Sequence, residues 1–169
     1  MSETAFDQVL IQRREARQEI VNVDEPTVKL VIFALGDQWF AFPGGNIREI
    51  LAGAEVYFVP GCPPSLDGVI NVRGDIESVV RLHDLLGLEG ASVVGDSILL
   101  GRSADMSSGI RVDRVIDVVD LPQSNIQAPP ATLPERLQAF VSGVLNFQNH
   151  PVAVLDLERI FADYARGLG

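Results

Sequence analysis

Cysteine is nearly absent: with Cys62 alone, no internal disulfide can form, which suits a reducing compartment. Cys62 also has no neighbouring His or Lys in sequence to lower its pKa, so it reads as inert rather than nucleophilic. Basic residues are scarce, 13 against 23 acidic, and the formal charge of −10 repels phosphate backbones. Aromatic residues are only 7% of the chain, too few to build a base-stacking platform, so charge and composition both argue against nucleic acid as a partner. No apolar run approaches the roughly 18 residues of a membrane span, which excludes direct membrane insertion. The first 20 residues carry Glu3, Asp7, Arg13, Arg14 and Glu15 with no apolar signal core, so the chain reads as cytoplasmic.

Chemistry is missing as well. The two histidines, His83 and His150, stand outside any zinc-binding spacing and read as surface residues. Gly44-Gly45 leads into a strand with no following Gly-Lys-Ser/Thr, so it is no phosphate loop. The carboxylates are scattered. The sequence therefore predicts no catalytic residues, no metal and no cofactor. A Cys62 enzyme and a β-barrel module binding a small ligand or an oligonucleotide are the competing classes.

What the chain does have is a repeat. Gly68-Val69-Ile70-Asn71-Val72-Arg73-Gly74, with the apolar segment 79–86 behind it, returns without a gap as Gly143-Val144-Leu145-Asn146 followed by 154–161. Ile70/Leu145, Val80/Leu155, Leu85/Ile160 and Leu86/Phe161 are size-conserving swaps of the kind a packed core tolerates. Two copies of one half-domain in a single chain are the simplest reading. Arg73-Gly74 corresponds to Gln148-Asn149, so the half-domain does not need arginine there to fold. Binding, or a turn closed by pairing with a nearby carboxylate, remain equal alternatives for Arg73.

Residues 1–27 read as an N-terminal extension, helical over 5–20 or frayed. Residues 28–169 read as one domain of two repeated lobes. The β-branched run 28–35 predicts a strand buried on both faces, and residues 39–42 its hairpin partner. Residues 47–51 alternate as a short strand, echoed at 113–118 with Asp117 in the place of Glu49. Residues 82–86 predict a helical turn stopped by Gly87. Residues 97–100 and 110–112 predict strands joined by a polar loop over 102–108. Thr132-Leu133-Pro134-Glu135 has the form of a capping box. Leu157, Ile160, Phe161 and Tyr164 predict an amphipathic terminal helix with Asp156 as N-cap and Gly167 as stop. The fold class is mainly β: two small barrels of about five strands, packed together, with a C-terminal helix.

A binding module needs a glycine that admits a close approach, apolar floor residues and orienting charges. An exposed Gly68 with Ile47, Glu49 and Arg73 supplies those types. The motifs at 31–41, Ile47-Arg48-Glu49-Ile50, Pro60-Gly61-Cys62-Pro63, Gly68 to Gly74, 79–86, 109–115 and 143–161 resemble the CheW-like domain of bacterial chemotaxis coupling proteins. The resemblance implies a non-enzymatic adaptor of two SH3-like barrels. It would couple the cytoplasmic tip of a methyl-accepting chemoreceptor to the regulatory domain of a CheA-type histidine kinase. By motif position, Ile47, Glu49, Gly68, Asn71, Val72, Arg73 and Gly74 fall on the partner-binding groove. Four places depart from the pattern: Ser78 for proline, Arg81 for aspartate, His83 for arginine, and Gly44-Gly45 for apolar residues. They suit an accessory chemosensory system as an alternative.

Overall fold

The computed structural model describes residues 25–61, 66–88, 97–103 and 106–168. The expectations for the N-terminal extension and for Cys62 lie outside them. Ten strands form two five-stranded sheets. The strands are β1 (Thr27–Leu35), β2 (Gln38–Pro43), β3 (Ile47–Ala52), β4 (Leu66–Val72), β5 (Asp75–Arg81), β6 (Ser97–Ser103), β7 (Met106–Val112), β8 (Arg114–Pro122), β9 (Val141–Phe147) and β10 (His150–Leu155). Three short helices follow β5, precede β9 and end the chain: α1 (Leu82–Leu86), α2 (Glu135–Gln138) and α3 (Leu157–Leu168).

One sheet has the order β8-β1-β2-β10-β9 and the other β3-β6-β7-β5-β4. The two orders are the same topology. In each, a hairpin (β1–β2 or β6–β7) is flanked antiparallel by one strand and parallel by one arm of a second hairpin. Even the irregularities repeat: bulges fall at Arg48 and Ile116 in the flanking strands and at Asp67 and Ser142 in the outer arms. The sequence repeat is therefore a structural one, but a lobe is not a half of the chain. The β1–β2 hairpin of the first half completes the second half's sheet, and β6–β7 completes the first half's. The two halves have exchanged hairpins.

Alternation explains the burial. Along β1, Leu30 and Ile32 point into their own sheet's interior with Ala41, Leu145, Val152 and Val154. Val31, Phe33 and Leu35 point the other way, into a core shared with α1, α3 and the second sheet. β6 does the same, with Ile98 and Leu100 inside and Leu99 in the shared core. Each interior cluster draws on both edge strands of its sheet: Ile116 and Leu145 in one, Leu51 and Ile70 in the other. Both sheets are thus curled into barrels. Phe33 stacks on Phe42 at 5.2 Å and on Phe40 at 6.1 Å between ring centroids, at the centre of the shared core.

Four local expectations need correction. The polar stretch 102–108 is not a loop, because pairing from Ser97↔Val112 to Ser103↔Met106 carries both strands almost to the tip. Thr132 caps nothing: α2 begins after Pro134, and Gln138 Nε2 instead holds the Ala131 and Leu133 carbonyls, each at 2.7 Å. α3 runs through Gly167 to Leu168, although Asp156 does cap it, accepting from Arg159 N at 3.2 Å. His83 is not a surface residue. It is 2% exposed, on the buried face of α1.

Candidate functional site

β3 and β4 are the two edges of their sheet, and a side-chain pair joins β3 to the β4–β5 turn as a seam. The bulge at Arg48 shifts the register so that Glu49 stands opposite Leu100 and faces the β4–β5 turn. That turn has two residues, Arg73 at φ 52° and Gly74 at φ 92°, a geometry that matches the twist of a hairpin. Asn71 Oδ1 accepts from Gly74 N at 2.8 Å and fixes the turn. Arg73 Nη2 then donates to Glu49 Oε1 at 2.6 Å, closing the seam. The hydrogen bond and charge of Glu49 make the guanidinium hold its proton more tightly than usual. The Arg73 side chain nevertheless remains 74% exposed, leaving most of its donors to solvent.

Val72 is half-buried against the interior of its barrel and Ile47 against the core shared by the two barrels, while Ile50 and Ile76 are exposed. Hydrogen bonds and the β4–β5 turn thus bring together Glu49, Asn71, Arg73 and Gly74 of the expected groove, next to Val72 in sequence. Gly68 differs. It is buried, not exposed, and the close approach it permits comes from the chain itself. A Cβ there would stand 2.3 Å from the Tyr57 carbonyl oxygen, where residue 57 bridges to Val69 through two backbone bonds of 2.8 and 2.9 Å. Gly143 holds the same place under Gln127. At both repeats the glycine makes room for a crossing segment of the chain itself.

The other barrel does not reproduce the charged seam. Gln148-Asn149 form its turn at φ 50° and 64°, and Asp117 Oδ1 accepts from Val118 N on its own strand at 2.8 Å. The departures at Arg81 and Ser78 are absorbed within the fold. Arg81 Nε lies 3.5 Å from Asp84 and 3.9 Å from Asp67, which also receives Arg111 Nη1. Ser78 Oγ lies 2.9 Å from Ser108 Oγ across β5 and β7. Sequence reasoning passed over Tyr57 and Phe58, which are 53% and 77% exposed. Two adjacent aromatics three residues before a Pro-Gly turn were the available signal. It also passed over a mostly apolar groove of about 370 Å³ between β2, β10 and the segment before α2, bordered by Trp39 and His150 with rings stacked 3.9 Å apart.

Among the described residues no cluster of His, Cys, Asp and Glu could hold a metal, and no helix is long and apolar enough to cross a membrane. The family model of the CheW-like domain matches residues 29–165. Chemotaxis protein CheW of Treponema pallidum is 27% identical over 145 residues, 83% of this chain and 85% of that one. Protein PilI of Pseudomonas aeruginosa is 28% identical over 115 residues, 68% of this chain and 65% of PilI. Among solved structures, the scaffolding protein TtCheW from Thermoanaerobacter tengcongensis superposes with a TM-score of 0.71 at 23% identity, covering 80% of this chain and 88% of that one.

Proposed function

The chain belongs to the CheW-like domain family, and from that premise we propose that it is a non-enzymatic cytoplasmic adaptor with a receptor-facing seam between β3 and β4. In this reading Arg73 and Glu49 orient the helical tip of a chemoreceptor, Ile47 and Val72 supply the apolar floor, and Asn71, Gly74 and Gly68 hold the shape. A CheA-type histidine kinase docks through its regulatory domain elsewhere on the barrels. Holding both partners at once raises their effective concentration and fixes their geometry. The observation that carries the reading is the exposed Arg73. One pseudo-symmetric edge presents a charged, half-engaged arginine, and the other folds equally well with Gln148 in its place.

Arg81 does not require a different partner, because its charge is answered by Asp67 and Asp84 inside the chain. The test is Arg73→Glu, measured by calorimetric titration against a receptor signalling-tip fragment and, separately, against the kinase regulatory domain. Receptor affinity should fall at least tenfold, with kinase affinity and melting temperature unchanged. Unchanged receptor affinity would reduce the pair to a clasp that closes the seam.

A further inference from the structure

Where the chain leaves β7 for β8 it passes from one barrel to the other, and Asp113 sits at that corner. Its backbone N donates to Ala34 O at 3.1 Å, and its Oδ2 accepts from Gly36 N at 2.5 Å, so it pins the β1–β2 turn of the opposite barrel. Its other oxygen, Oδ1, faces His83 Nε2 at 3.6 Å. Among the described residues, neither His83 ring nitrogen nor Asp113 Oδ1 makes a hydrogen bond, and all three atoms are buried. Buried polar atoms are seldom left this way in a native fold.

We infer that His83 and Asp113 form an acid-operated joint between the barrels, open in the neutral state and closed when the imidazole takes a proton. Protonation turns a contact that is too long into a charge-assisted bond, which asks α1 and the corner to approach by about 0.7 Å to reach the usual N–H···O distance. The corner cannot yield without moving the β1–β2 turn, because the same carboxylate holds Gly36. The other charged groups around α1 are Asp84 on the helix itself, Arg81 before it, and Arg136 from α2, whose Nε donates to Leu85 O at 2.9 Å. Arg81 opposes protonation and Asp84 favours it. Burial sets the balance against the charged ring, so the joint stays open at neutral pH. The inference stands apart from the assignment of the β3–β4 seam, since none of its residues lies there.

The test is a pH titration of the full chain from 8 to 5 by NMR, following the His83 ring and the backbone amides. The Gly36 and Ala34 amides should shift with the midpoint of the His83 ring. That step should vanish in His83→Gln. In Asp113→Asn, which keeps an acceptor for Gly36, the ring should titrate at lower pH with no coupled shift. A His83 titration that leaves Gly36 still, or acid unfolding with no preceding step, would overturn the joint.

Discussion

Gly68→Ala separates two explanations of the most recognisable residue in the chain. A partner needing bare backbone at this point would leave stability untouched and binding abolished. The structure dictates the opposite. Gly68 has φ +154°, and a Cβ would meet the Tyr57 carbonyl oxygen at 2.3 Å and the Tyr57 carbonyl carbon at 2.9 Å. Backbone cannot rotate aside as a side chain does, so the 57–69 bridge must open, with loss of its two hydrogen bonds. Each is worth about 0.5–1.5 kcal/mol, and forced backbone movement in a packed site costs about 1–3 kcal/mol more. The sum is roughly 2–6 kcal/mol, or a fall in melting temperature of roughly 4–24 °C for a domain of this size. Gly143→Ala should cost less, because its nearest obstacle at 2.4 Å is the Ile126 Cγ2 methyl, with the Gln127 oxygen at 3.0 Å. Gly45→Ala, with nothing within 4 Å, is the control. The assay is calorimetric melting of the three variants. If Gly68→Ala melts with the wild type and loses only receptor binding, the internal crossing is not what selects glycine.

Three further outcomes are expected. Asp156→Ala removes the cap from α3 and should destabilise by about 1 kcal/mol in chemical denaturation. Burial lowers the His83 pKa in the folded state below the ordinary imidazole value of 6.5, so the unfolded chain binds the proton first. Stability should therefore be full above the unfolded pKa and fall as pH drops below it toward the folded pKa. The slope cannot exceed about 1.4 kcal/mol per pH unit for one proton, and melting of His83→Gln between pH 7.5 and 5.5 should show a shallower fall. A fragment ending at Leu88 keeps all seven residues of the expected partner-binding groove but lacks β6 and β7, the partners of β3 and β5. It should show no cooperative melt and no receptor binding; a folded fragment would contradict the exchange of hairpins.

The repeat was legible because each copy spends its glycine, its two-residue turn and its alternating apolar residues at the same offsets, and those are local demands. The exchange was not. Nothing in the alternation of β1 says whether its neighbour will be β3 or β8, since either edge offers the same bulge and the same apolar face. The polar stretch around Ser103 and Ser107 reads as loop by propensity, yet cross-strand pairing overrides propensity when a hairpin already has its register. Pro134 accounts for the failed capping box: at ψ 143° it is itself the N-cap residue, two positions beyond Thr132. His83 did leave a trace, because it stands three residues before Leu86 on the same helical face. Five residues are too few for that face to be trusted. In the seam, the residue types pointed to Glu49 and Arg73 separately, and their pairing at 2.6 Å depends on barrel closure, which sequence spacing does not encode.

Hairpin exchange also bears on how a CheW-like domain can stay rigid. Were each half a self-contained barrel, a hinge across residues 89–96 would be the only covalent link, and relative motion would be the default. Here every barrel hydrogen-bonds strands from both halves, through β1 with β8, β2 with β10, β3 with β6, and β5 with β7. Swinging one barrel away would require breaking a ladder, not merely opening an interface. The shared core around Phe33, Leu82, Leu99 and Phe161 closes the same gap from the apolar side. Rigidity comes from topology, and that leaves the two edges free to diverge in charge, Arg73 with Glu49 on one and Gln148 with Asp117 on the other.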